Sequence, residues 1–205
     1  MAETKNITVA ANKEAANLQV LFAKMKNVYF NNKQIVSKTL DGTFTTPYDV
    51  INAVECDLEL PVLEDGVTLN TGEPDVTEVK LTTGAIWVSR ANKGDSDISF
   101  QVASIAGEIN DLFLTKKTTS GISSVSIQGL DGTFAGDSYS LDVNKVTGSL
   151  IMTDDNRQTV IVLTNVEMYG GLVAGDSDNP AYFNVTVTPK DNLEGAAIMI
   201  LHKTA

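Results

Sequence analysis

The chain has 205 residues, 42% hydrophobic and 20% charged, a balance that suits one globular domain and excludes a disordered one. Fifteen basic residues against 26 acidic ones leave a net charge of −11, which repels nucleic-acid phosphates and anionic lipid alike. A nucleic-acid-binding protein and a membrane-docking protein are therefore poor readings.

The opening stretch MAETKNITVAANKEAANLQ lacks an apolar h-region, so no secretory signal is expected, and no apolar run approaches the ~20 residues that span a bilayer. Synthesis in a bacterial cytoplasm fits these features. Residues 1–50 are polar and weakly patterned, and they read as an N-terminal arm and lead-in segment. Within them a short helix is possible over Ala15–Lys26, where Leu18, Leu21, Phe22 and Met25 recur at helical spacing. Residues 51–205 read as a single β-sandwich domain.

Strict alternation in VECDLEL predicts a strand from Val54 to Leu60, with Cys56 on its apolar face. Cys56 is the only cysteine, so no internal disulfide forms, and a buried inert thiol is the natural reading. Pro61–Asp75 holds two prolines, two glycines and several acids. It reads as a long loop or an open hairpin around Asp65-Gly66. Strands are predicted at Val76–Leu81, Ala85–Arg90 and Asp97–Ser104. A helix over 105–116 follows, capped by Ser104, with Ile105, Ile109, Leu112 and Phe113 on one stripe and Lys116 and Lys117 at its end. Further strands are predicted at Ile122–Gln128, Ser138–Val143, Gly148–Thr153, Thr159–Met168, Tyr182–Thr188 and Ala196–His202. The fold class is mostly β: a β-sandwich or small barrel with one flanking α-helix and an extended arm and loop. LDGTF and GDSD each occur twice, without the period that marks a structural repeat.

No catalytic equipment is apparent. His202 is the only histidine, so any triad must use it, and it falls at the end of a predicted terminal strand. G-x-S-x-G, P-loop and G-x-G-x-x-G strings are missing, and zinc has no ligand set. The acids at Asp95–Asp97, Asp154–Asp155 and Asp176–Asp178 fall in turns that Asp favours for backbone reasons, and they match a calcium loop only weakly. The chain is expected not to be an enzyme and to hold no cofactor or metal. Trp87 and Arg90 in GAIWVSR sit on opposite sides of a predicted strand. A lone Trp is more often core, but both residue types are enriched at assembly interfaces.

The stretch VLEDGVTLNTGEPDVTEVKLTTGAIWVSRANKGDSDISFQVASIAGEINDLFL, Val62 to Leu114, resembles the major tail tube proteins of long-tailed bacteriophages. The likeness lies in the order strand, acidic loop, strand pair, strand and amphipathic helix, and in the wording of the loop. It implies a structural virion protein that assembles into hexameric rings stacked as a tail tube. Its partners would be copies of itself, a tape-measure protein and tail-tip proteins. Double-stranded DNA would pass through the lumen without specific binding, past an acidic wall, and no membrane would be involved. By the same likeness Pro61–Asp75 would join one ring to the next. Val62, Leu63, Val67 and Leu69 would be its docking residues, with Trp87 and Arg90 as further interface candidates. A β-sandwich binding module or adhesin that recognises a surface carbohydrate is the other reading the strand pattern allows.

Overall fold

The computed structural model describes residues 25–40, 42, 47–92, 94–103, 107–117, 122–154, 159–175 and 180–202. The first described elements are strand β1 (Met25–Asn31), a 3-10 turn (Ser37–Leu40) and helix α1 (Pro47–Val54). Next come β2 (Leu58–Asn70), β3 (Asp75–Lys80), β4 (Ile86–Asn92), β5 (Asp97–Val102) and helix α2 (Gly107–Phe113). Four short strands follow: β6 (Thr115–Lys116), β7 (Ile122–Ser126), β8 (Thr133–Gly136) and β9 (Tyr139–Ser140). The last are β10 (Val146–Asp154), β11 (Thr159–Val173), β12 (Tyr182–Pro189) and β13 (Ile198–His202).

Six strands run in the order β10–β1–β2–β5–β12–β11, and β11 pairs back to β10. The result is a closed antiparallel barrel, with β13 added beside β11. Closure removes the edges that an open sheet exposes. The small-barrel form of the expected fold class is the one adopted.

Side chains alternate across the wall as the pleat requires. Val28 and Phe30 of β1, Leu60 of β2, Phe100 of β5, Val185 of β12 and Leu150 of β10 belong to one buried interior cluster. On β1, β10 and β11 the outward residues are buried as well: Tyr29, Ile151, Val160 and Val162 form a second cluster beneath Ile35 and the α1 residues Val50, Ile51 and Val54. Double-sided burial explains the unbroken apolar runs of β10 and β11. The outer face of β5 and β12, where Ser99, Gln101, Asn184 and Thr186 stand, stays polar and partly or fully exposed.

α2 closes onto the interior cluster through Ile109 and Phe113. The Phe113 ring meets Phe183 at a centroid distance of 5.3 Å, a favourable tilted contact. It also lies against Gly170 of β11, where an added Cβ would come within 2.5 Å of the ring. The helix is shorter than the expected 105–116. Lys116 stands in β6, and Ser104 and Ile105 lie outside the described residues.

Four local expectations are corrected. Met25–Asn31 falls in the stretch read as an arm, yet it is a central barrel strand between β2 and β10. Most of the helix expected over Ala15–Lys26 lies outside the described residues, and its last two positions are strand. VECDLEL is not one strand. Val54 ends α1, Glu55 takes a left-handed turn at φ 54°, and β2 starts only at Leu58. Asn31 fastens that turn by donating to the carbonyls of Val54 (2.6 Å) and Glu55 (3.2 Å), groups a helix end leaves unpaired. Finally, Pro61–Asn70 is not a loop but most of β2. The Asp65-Gly66 turn signal marks a bulge instead: the register against β5 jumps between Val62 and Val67, and Gly66 takes φ +75°.

Candidate assembly surface

Two hairpins stand apart from the barrel sheet. Among the described residues β3 pairs only with β4, and β7 only with β8. Every residue from Glu73 to Asn92 is exposed, and so is every residue from Ser124 to Asp137. A six-residue strand reaches about 20 Å, so β3–β4 is a substantial projection.

The root of β3–β4 is closely packed. Gly72 takes φ +87°, and a Cβ on it would sit 2.5 Å from the Gly94 carbonyl oxygen. A Cβ on Gly94 would sit 2.0 Å from that of Glu73. The two backbones can cross this closely only as glycines. Asn70 Oδ1 also accepts the Gly72 amide at 2.9 Å. At the far end Leu81 and Ala85 close the turn, with Gly84 at φ +84°.

Between root and turn the hairpin carries Val76, Val79, Leu81, Ile86, Trp87 and Val88, all exposed. Trp87 is 69% exposed. The register steps from Val79↔Val88 to Lys80↔Ile86, which makes Trp87 the extra residue of a bulge. The core reading of this tryptophan is thereby overturned. Arg90, opposite Thr77 and also exposed, lies on the same strand.

The base of β7–β8 is held by charge. Lys116 Nζ lies 2.7 Å from Asp137 and 3.5 Å from Asp111, and the Tyr139 hydroxyl donates to Asp111 at 2.7 Å. The hydrogen bond to Asp137 raises the Lys116 ammonium above its ordinary pKa, and the bond to Asp111 raises the Tyr139 phenol. Beyond this base Val125, Ile127, Leu130 and Phe134 are exposed. The sequence placed a strand on the first side of this hairpin and none between Gln128 and Ser138, where Thr133–Gly136 is strand. The alternation V-x-I in SVSIQ was the signal for its apolar face.

The residues first assigned to docking sit elsewhere. Val62, Val67 and Leu69 are half-buried against the barrel's own interior cluster, and Leu63 is half-buried at the β2 bulge. Cys56 lies in the turn after α1, half-buried against the outer cluster. Burial first, and then the Asp57 charge, push its thiol up to about 11. Among the described residues no group of three or more His, Cys, Asp or Glu is placed to hold a metal ion, and no helix is long and apolar enough to cross a membrane. His202 ends β13 opposite Thr159, and Asp155, Asp176 and Asp178 lie outside the described residues.

No protein-family model matches the chain, and no curated protein matches it. Among solved structures the chain is similar to the sheath–tube complex of an extracellular contractile injection system (PVC) in its extended state. The similarity has a TM-score of 0.42 and 10% identity and covers 96% of this chain and 100% of the other. A TM-score below 0.5 does not establish a common fold.

Proposed function

We propose that this protein is a non-enzymatic structural subunit that assembles with copies of itself into hexameric rings, stacked as the tail tube of a long-tailed phage. The observation that carries self-assembly is the β3–β4 hairpin, with its closely packed root and apolar side chains that its own barrel does not cover. Monomeric proteins rarely expose a contiguous apolar patch larger than a few hundred Å². Charge is also sparse on the β7–β8 hairpin, where Asp131 is the one charged residue between Ile122 and Gly136. In a chain of net charge −11, that depletion matches the centre of an interface. The ring number and the role as a conduit for DNA come from the resemblance of Val62–Leu114 to tail tube proteins. The strong acidity of the chain suits a lumen along which the duplex slides without sticking. In this reading the protein resides in the virion tail, next to a tape-measure protein and tail-tip proteins.

Sedimentation velocity at rising protein concentration tests the reading. Boundaries that move to ring-sized and larger species support it. A single species near the 21.9 kDa chain mass up to high micromolar concentration overturns it.

A further inference from the structure

Asp-Gly pairs occur at 41–42, 65–66 and 131–132. In such a pair the glycine has no side chain to keep its amide nitrogen away from the aspartate carboxyl, and its backbone turns freely. The fold treats the pairs differently. Asp41 lies outside the described residues. Asp65-Gly66 belongs to β2, where Val62 and Val67 on either side pair with β5 and pack on the interior cluster. Asp131 and Gly132 are both exposed and stand in the turn of β7–β8, beyond the last ladder pair Ser126↔Thr133. Gly132 takes φ +112°, and a Cβ added to it would meet nothing within 4 Å. Among the described residues no hydrogen bond holds its amide or the Asp131 carboxylate.

We propose that Asp131 is a site of spontaneous backbone isomerisation to isoaspartate, and that the barrel protects Asp65 from the same reaction. A lone two-stranded hairpin is marginally stable in water, so its turn samples the geometry for attack at little cost. Residue 65 reaches that geometry only when the barrel wall opens.

The chemistry needs no co-reactant but water. The Gly132 nitrogen bonds to Cγ of the protonated Asp131 carboxyl. The carboxyl hydroxyl leaves as water with the amide proton, and a cyclic imide remains. Water then adds to either imide carbonyl. Cleavage of the nitrogen–Cγ bond restores aspartate. Cleavage of the bond to the main-chain carbonyl carbon leaves the chain running through Cγ, with the former main-chain carbonyl as a free carboxylate. The turn is then longer by one backbone carbon. The change falls on a hairpin that forms part of the candidate assembly surface.

Peptide mapping of the full-length chain tests this. The protein is held at low concentration and mildly acidic pH in heavy-oxygen water for weeks at physiological temperature, then digested in ordinary water. Each passage through the imide inserts one heavy oxygen, and fragmentation in the mass spectrometer tells isoaspartate from aspartate. Both marks should accumulate at residue 131 more than about tenfold faster than at residue 65, since each tenfold corresponds to a small local opening cost. In urea strong enough to unfold the barrel the two sites should react at similar rates. Equal rates in the folded chain, or no isoaspartate at residue 131, overturn the proposal. A difference that persists in urea overturns it too, because neighbouring sequence rather than the fold would then set the rates.

Discussion

Replacing Trp87 by alanine should leave the subunit folded and cripple its assembly. The side chain is 69% exposed and lies outside both buried clusters, so the free subunit has little to lose. Substitutions of this kind shift stability by within about 0.5 kcal/mol, or roughly 1–2 °C in melting temperature for a chain of this size. The assembly loses much more. An aromatic side chain offers about 150–250 Å², so covering the exposed share of Trp87 removes roughly 100–170 Å² from water. At about 25 cal/mol per Å² that is about 2.5–4 kcal/mol per contact, an upper value and the scale of an interface hot spot. Each contact should weaken by about 100-fold or more. Concentration-dependent sedimentation reads the association, and a thermal melt of dilute protein reads the fold. Unchanged assembly, or a melting temperature lowered by about 8 °C or more, would refute the reasoning. The first result would mean that Trp87 lies outside the contact, and the second that it serves the subunit's own core.

Other outcomes follow from the interior and from the turns. Phe113→Ala removes a ring packed on Phe183 and Gly170 and should cost about 3–5 kcal/mol in urea unfolding, while Glu108→Ala on the exposed side of α2 should cost little; equal effects would contradict the packing described. Gly94→Ala should perturb the root of β3–β4, and lower assembly more than stability, because its Cβ meets the Glu73 carbonyl; unaltered assembly would show that the close approach at the root does not govern assembly. Cys56 should alkylate about 100-fold more slowly at pH 8 than an unburied thiol, because a pKa raised from 9.0 to about 11 depletes the thiolate by that factor; a fast iodoacetamide reaction would show the thiol to be free of that burial. Glu194 accepts hydrogen bonds from the Ser37 hydroxyl and amide, which lower its pKa. A lowered carboxylate contributes at pH above its unfolded value, and the contribution is lost as pH falls through the folded one. The protection factor of the Ser37 amide, its exchange rate corrected for the intrinsic slowing in acid, should therefore fall on acidification, and Glu194→Gln should remove that dependence; identical protection profiles for the two proteins would dismiss the tether.

The legible parts of this fold are those where one physical signal dominates. β5 and β12 bury one face only, so Ile98-x-Phe100-x-Val102 and Phe183-x-Val185-x-Val187 alternate plainly in the sequence. β1 was hidden for the opposite reason. Val28 and Phe30 enter the barrel while Tyr29 enters the outer cluster, so periodicity vanishes within a short segment set among Lys and Asn. α1 went unanticipated: Pro47 and Asp49 stand in its first turn, but its last residues merged with VECDLEL into a false alternation. The acids and glycines of Pro61–Asp75 suggested a loop because composition does not distinguish a bulged barrel strand from a solvated turn. That mistake moved the expected docking residues onto a strand of the barrel itself. The strand pair after it was read correctly, but strand propensity is the same for a hairpin that packs and one that projects. The exposure of Trp87 was therefore not available from the sequence.

Negative-stain electron microscopy of the purified full-length chain at high micromolar concentration tests the central claim most directly. Rings whose averages show six subunits, alone or stacked into tubes with an open lumen, are the expected result. A field of isolated particles of single-chain size, under conditions where circular dichroism shows the barrel folded, would contradict it.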